Sequence, residues 1–185
     1  MSEAKDLGMG IQEGFRIPMN EATEALHLGD DDLPWLEAED GSKVKVLHID
    51  LNQGLWVVKT RWRPGYAVQT HYHTGPVFAV TISGGWYYKE YPDYVNRAGS
   101  YLYEPSHSIH TLLVCDDIEE ETEVWFAIYG CNVNIDDSGS VLGIVDAKTV
   151  MESYHNGCAK TGLDASKMIV FGADPNLSAP CFPDE

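Results

Sequence analysis

The sequence predicts an all-β domain, a jelly-roll barrel with short helices at its N- and C-terminal ends. Three observations carry that expectation. Between residues 43 and 145 the chain is a succession of short apolar-polar alternations broken by Gly, Pro, Asn and Asp. Helical signals occur only outside that stretch. The length of 185 residues, with 44% hydrophobic residues, supplies one sizeable core and leaves little room for a second. A single domain over 1–185 is therefore expected: a barrel over about 43–145, an N-terminal extension over 1–42, and a C-terminal helix and tail over 146–185.

Asn20 is placed to cap a short helix through about Leu28, after which Gly29 and the run Asp30-Asp31-Asp32 mark a solvated loop. Val44, Val46 and His48 alternate as a strand. Asn52-Gln53-Gly54 turns the chain into a second strand at Leu55-Trp56-Val57-Val58, and Pro64-Gly65 ends the next run. Further strands are expected at 77–83, 86–91, 101–104, 109–115 and 122–129, then a hairpin about Asp136-Asp137-Ser138-Gly139. So many short antiparallel strands suit a sandwich or barrel. Asp146 caps a helix through about Tyr154, with Gly157 as its stop, and the tail keeps one apolar run at Met168-Ile169-Val170-Phe171 before a Pro-rich end.

Twelve basic against 29 acidic residues give a formal charge of −17, which repels nucleic acid and anionic membrane surfaces. No stretch reaches the ~18 apolar residues of a membrane span. Cys115, Cys131, Cys158 and Cys181 form neither a C-x-x-C motif nor a disulfide scaffold, and the N-terminus lacks a basic segment followed by an apolar run. The expectation is a reduced, cytoplasmic protein.

The chemistry concentrates in His71-Tyr72-His73 and His110. Alternate side chains of a strand share a face, so His71 and His73 project together, and a third histidine from a later strand completes three nitrogen donors on one side of a transition metal. The opposite side stays open, which is the plan of a reactive site. A surface or hydrogen-bonded core role is the alternative for any one histidine; His27, His48 and His155 stand outside the pattern.

Gly65 precedes His71 by five intervening residues, and Gly99, Pro105 and His110 fall at G-x5-P-x4-H. These spacings resemble the two cupin signatures, G-x5-H-x-H-x3,4-E-x6-G and G-x5-P-x-G-x2-H-x3-N. Three positions depart from them. Val77 or Phe78 stands where the first signature has its glutamate, His107 replaces the glycine of the second, and Val114 replaces its asparagine. The ligand set expected is three neutral histidines, His71, His73 and His110, without a carboxylate.

Within that superfamily, His73-Thr74-Gly75-Pro76-Val77-Phe78, Gly84 to Glu90, Ala98-Gly99-Ser100-Tyr101, Glu104-Pro105 and His110-Thr111-Leu112 resemble the 2,4'-dihydroxyacetophenone dioxygenase family, to which acetylacetone dioxygenase is related. The resemblance implies an Fe(II) enzyme that uses O2 to cleave a C–C bond beside the carbonyl of a small molecule, an α-hydroxyketone or β-diketone, giving carboxylic acids. Zinc, nickel or copper fit the same nitrogens, and iron is preferred on the resemblance. It also implies a homodimer or homotetramer.

Glu104, six residues before His110, matches the outer-sphere glutamate of the acetylacetone enzyme and is the expected catalytic residue. Gln69 shares the parity of His71 and His73, Lys89 is a candidate partner of Glu104, and Trp86, Tyr88 and Phe78 are candidates for a substrate pocket. A structural amide for Gln69, an exposed Lys89 and cross-strand packing of the aromatics are the alternatives. Two other functions remain open: a metal-dependent isomerase, lyase or hydrolase that does not use O2, and a non-catalytic metal or ligand sensor.

Overall fold

The computed structural model describes residues 25–172. In chain order, a 3-10 turn at Asp30–Asp32 precedes β1 (Leu36–Glu37), β2 (Lys43–Asp50), β3 (Leu55–Trp62), β4 (His71–His73), β5 (Val77–Ser83), β6 (Gly85–Tyr88) and β7 (Tyr91–Arg97). There follow β8 (Tyr101–Glu104), β9 (Leu112–Val114), β10 (Thr122–Tyr129), β11 (Asn132–Ile135), β12 (Val141–Val145), α1 (Ala147–Thr161) and β13 (Ile169–Phe171). A large sheet runs β1-β2-β3-β10-β5-β8, with β13 parallel to β2. Two three-stranded sheets, β12-β11-β4 and β7-β6-β9, face it. The architecture is the jelly roll that the alternation predicts.

Inward-facing residues of the large sheet make the core: Val46, Trp56, Val58, Trp62, Val77, Ala79, Val124, Phe126 and Ile128 are all buried, and Trp86 and Leu112 meet them from the opposite side. Burying such side chains is the main stabilising term, at roughly 1.5–3 kcal/mol each. The partition is clean on β5, where Val77, Ala79 and Thr81 are buried while Val80 and Ile82 are exposed.

Three expectations need correction. Residues 25–28 are not helical, and the rest of the helix expected from Asn20 lies outside the described residues. The segment after Tyr88 does not continue as one strand: Lys89 and Glu90 turn the chain into β7, which no alternation announces because nearly all its residues are exposed. The helix capped by the Asp146 side chain, which accepts from the Thr149 amide at 2.7 Å, passes through Gly157 and ends at Gly162, in the left-handed region at φ 71°. Gly157 serves close packing instead, since a Cβ there would lie 2.4 Å from Leu36 Cδ2 on β1.

The acidic run is exposed at Asp30 and Asp31, as expected of a solvated loop, and lysines pair with two of its three carboxylates. Lys59 Nζ lies 2.6 Å from Asp30 Oδ1, the buried Lys45 amine lies 3.7 Å from the same oxygen, and Lys167 pairs with Asp32. Among the described residues no helix is long and apolar enough to cross a membrane.

Candidate metal centre

Two strands are clipped together where the histidines lie. The His71 amide donates to the His110 carbonyl and the His110 amide donates back to His71, each at 3.0 Å, an isolated bridge between β4 and the segment entering β9. Strand parity then puts His71 and His73 on the same inward face as His110. All three are buried, and one ring nitrogen from each falls within 4.8 Å of the others.

The donor atoms can be named. His71 Nδ1 donates to the Gln69 carbonyl at 2.6 Å, which fixes the tautomer and leaves Nε2 as a lone-pair donor. That Nε2 lies 3.2 Å from His110 Nε2, close to the separation of about 3.3 Å expected for two nitrogens ~2.0–2.1 Å from one tetrahedral ion. Burial pushes the pKa of His73 down to about 3, with His71 and His110 adding to the effect, and burial next to His71 does the same to His110. Burial lowers His71 as well, against the pull of the Gln69 carbonyl. Neutral imidazoles are the protonation state a metal requires.

Glu104, at the end of β8, completes the cluster. Its Oε2 lies 3.4 Å from His110 Nε2 and 3.5 Å from His73 Nε2, buried and without a hydrogen-bond partner. Oε1 accepts from the Tyr88 hydroxyl. Burial raises the Glu104 pKa to about 7 while the Tyr88 hydrogen bond opposes the rise. Three converging lone pairs and an orphaned carboxylate oxygen beside them fit a divalent cation held by His71, His73 and His110. The donor set does not select which metal.

Against this centre lies an inner cavity of about 160 Å³, walled by Trp56, Val58, Trp62, Val68, Phe126 and Ile128. Of the aromatic candidates from the sequence, Tyr88 lines it. The others go elsewhere. Trp86 is fully buried in the core, its indole N–H donating to Thr81 Oγ1 at 2.9 Å. Phe78 is on the outward face of β5, its ring 5.5 Å from that of Tyr103. Lys89 is exposed on the turn after β6 and does not pair with Glu104. The Gln69 side chain donates to the Ile135 carbonyl at 2.6 Å, so this residue serves the site through its backbone oxygen on His71.

His107 explains its own departure from the signature. Its φ is 67°, the left-handed region that favours glycine, and its amide donates to the His73 carbonyl at 2.7 Å while its ring stacks on Tyr72. The position steers the backbone around the site.

A family model described as ChrR cupin-like domain matches residues 23–131. The chain belongs to this cupin family. A cupin-like protein of unknown function from Ralstonia eutropha JMP134 is 35% identical over 87% of this chain and 100% of that one, with a TM-score of 0.74. A second cupin from the same organism, described as RmlC-like, is 27% identical over 80% of this chain and 96% of that one, also at 0.74. Acetylacetone dioxygenase from Acinetobacter johnsonii shares the fold at a TM-score of 0.65, with 18% identity over 77% of this chain and 98% of that one. No curated protein matches the sequence.

The cavity walls were not singled out in the sequence. Parity on β3 and β10 holds the signal for most of them, because Trp56, Val58, Thr60 and Trp62, like Phe126 and Ile128, share one face. Asn132, which also lines the cavity, owes its place to pairing with His73 across β4 and β11. No local pattern announces that register.

Proposed function

We propose that this cupin is a mononuclear Fe(II) enzyme that uses O2 to cleave the C–C bond beside a carbonyl, acting on an α-hydroxyketone or a β-diketone. The observation that carries the reading is a trio of neutral imidazoles with no carboxylate among them, next to a buried, proton-avid Glu104 and an apolar cavity. Held by neutral donors, the ion keeps its full double charge and supplies binding of an anionic, chelating substrate together with activation of O2. The acetylacetone dioxygenase fold neighbour is consistent with this chemistry.

The roles of the protein groups follow from their positions. Glu104 Oε2, unpartnered and beside His73 and His110, accepts the proton from the carbon next to the carbonyl and leaves the substrate as its enolate. Tyr88 holds the carboxylate through Oε1 so that Oε2 faces the histidines. The apolar walls give the carbon skeleton of the substrate a surface to bury beside the histidines. For a hydroxymethyl ketone the balance is R–CO–CH2OH + O2 → R–COOH + HCOOH. The C–C bond breaks, both oxygen atoms enter the products, and no outside reductant is needed.

The test is metal analysis of protein purified without added metal, combined with O2 uptake on a panel of α-hydroxyketones and β-diketones. Iron with substrate-dependent uptake is the expected result. Turnover without O2 by a zinc-loaded protein would replace it with Lewis-acid isomerase, lyase or hydrolase chemistry. Tight metal binding with no turnover would favour a sensor.

A further inference from the structure

Behind the metal centre, three side chains form a line of hydrogen bonds that ends beside two of the ligands. His71 and His110 pair across the seam between β4 and the segment entering β9. Thr70 precedes the one and Thr111 follows the other, so their side chains leave by the face opposite the imidazoles. Thr70 Oγ1 lies 2.9 Å from Thr111 Oγ1. Thr111 Oγ1 in turn donates to Glu90 Oε1 at 3.1 Å, and the Thr111 amide donates to Glu90 Oε2 at 2.9 Å. A carboxylate only accepts, so the Thr111 hydroxyl gives its proton to the bond with Glu90, and the proton between the two threonines comes from Thr70.

The backbone ladder is irregular at this place. Ala67 pairs with Leu113 but His71 pairs with His110, so residues 68–70 on one side face residues 111 and 112 on the other. An extra residue on one strand bends it and interrupts regular pairing. Val68 still donates to the Leu112 carbonyl at 2.9 Å, and the bond between the threonines crosses the slip from there to the His71–His110 pair. On its other side Thr111 meets the end of a second ladder. The Lys89 amide donates to the Thr111 carbonyl at 2.9 Å, the chain then turns, and the Glu90 carboxylate takes the Thr111 N–H instead of a backbone carbonyl. Bonds to a charged acceptor are roughly twice as strong as neutral ones. Both oxygens of an exposed glutamate are thus used on the residue next to His110.

We propose that Glu90 is a positioning residue for the metal centre, acting through Thr111 and Thr70 to hold the backbones of His110 and His71 at the spacing that one ion requires. That spacing is expressed in the 3.2 Å between the two Nε2 atoms. A ligand set has to be held within ~0.5 Å of its working geometry, and supporting residues of metal sites typically contribute ~10–100-fold to affinity. Glu90 acts from outside, since its hydrogen bonds go to Thr111 and to no imidazole. The inference rests on His71, His73 and His110 as ligands and is independent of the reaction and of the metal's identity.

The test is titration of the metal-free full chain with Co(II). The visible ligand-field bands report affinity and coordination geometry, and circular dichroism checks that each variant is folded. Glu90→Ala and Thr111→Val should each weaken Co(II) binding by ~10-fold or more and alter the bands. Glu90→Gln should stay within about threefold of wild type with the same bands: its oxygen still accepts from the Thr111 amide, and its NH2 donates to the Thr111 hydroxyl, which passes its own proton to Thr70. Thr70→Val keeps the shape, removes one link, and should weaken binding by about three- to tenfold. Wild-type affinity and bands in folded Glu90→Ala, or in Thr70→Val should Glu90→Ala not fold, overturn the positioning role. Equal losses in Glu90→Gln and Glu90→Ala overturn it too, because they assign the effect to charge alone. If the wild type binds no Co(II), the ligand assignment fails and this inference with it.

Discussion

Glu104→Gln should make the metal-free protein more stable, and chiefly at and above neutral pH. The folded carboxyl is raised to about 7 from the ordinary 4.5 by burial, with the Tyr88 hydroxyl opposing. A group that holds its proton more tightly folded than unfolded stabilises the fold at low pH and loses that contribution as the pH climbs through the folded value. At ~1.4 kcal/mol for each tenfold change in proton affinity, the move from 4.5 to about 7 corresponds to about 3 kcal/mol. Glutamine keeps the shape, stays neutral and can still accept from Tyr88. The variant should therefore match wild type near pH 4.5 and exceed it by about 3 kcal/mol at pH 8 in urea unfolding with chelator present. His73 and His110, lowered to about 3, act in the opposite sense, losing stability as the pH falls below 6.5, but they are common to both proteins and cancel in the comparison. Loading a divalent cation should shrink the gap, because the ion favours the ionised carboxylate. A gap of the same size at both pH values, or a less stable variant at pH 8, would show that Glu104 is not a buried, proton-avid carboxyl.

Single changes of His71, His73 or His110 to Ala should leave circular dichroism intact and cost most of the bound metal by elemental analysis; full occupancy in all three rejects the ligand assignment. Tyr88→Phe removes the hydrogen bond that holds the Glu104 pKa down, so the basic group in the pH profile of kcat/KM should titrate at higher pH than in wild type. Trp86→Phe should lower stability by roughly 1–3 kcal/mol through the lost Thr81 bond and the poorer fit in the core, with KM unaltered, and a raised KM would return Trp86 to the substrate. Gly75→Ala puts a Cβ 2.5 Å from the Tyr129 carbonyl oxygen, which backbone cannot easily yield, and thermal melts should show a loss of the order of 1–3 kcal/mol.

How far the sequence foretells the fold depends on which physical signal each element carries. β5 and β8 begin and end where the alternation places them, β5 with a buried face opposite an exposed one; β10 is buried on both faces and is read instead from its apolar run and the Gly130 that ends it. β7 has no buried face, so nothing in its residues distinguishes it from loop. Gly157 looks like a helix stop because glycine ends helices more often than it fills a contact, and only the position of Leu36 decides otherwise. The metal trio is visible since parity and spacing are local. Its surroundings are visible only in part: Tyr88 and Trp86 share a face of β6, yet one reaches Glu104 on β8 and the other Thr81 on β5, a difference set by which strand of the large sheet lies opposite.

The centre also bears on why the barrel tolerates so much polarity in its interior. His71 and His73 come from β4 in the β12-β11-β4 sheet, His110 from the segment entering β9 in the β7-β6-β9 sheet, and Glu104 from the edge of the large sheet. All four side chains are buried, and the orphaned atoms Glu104 Oε2 and His73 Nδ1 are among them. Each unsatisfied group costs about 1–3 kcal/mol in a fold whose net stability is of the order of 5–15 kcal/mol. Packing alone would favour leucine or valine at these positions. A cation bound by His71, His73 and His110 reverses that balance: it uses the free imidazole lone pairs, gives the Glu104 charge a counterion, and joins two of the sheets directly while the third faces it through Glu104. On this argument the barrel folds without the ion, and binding it offsets part of the cost of burying three imidazoles and a carboxylate.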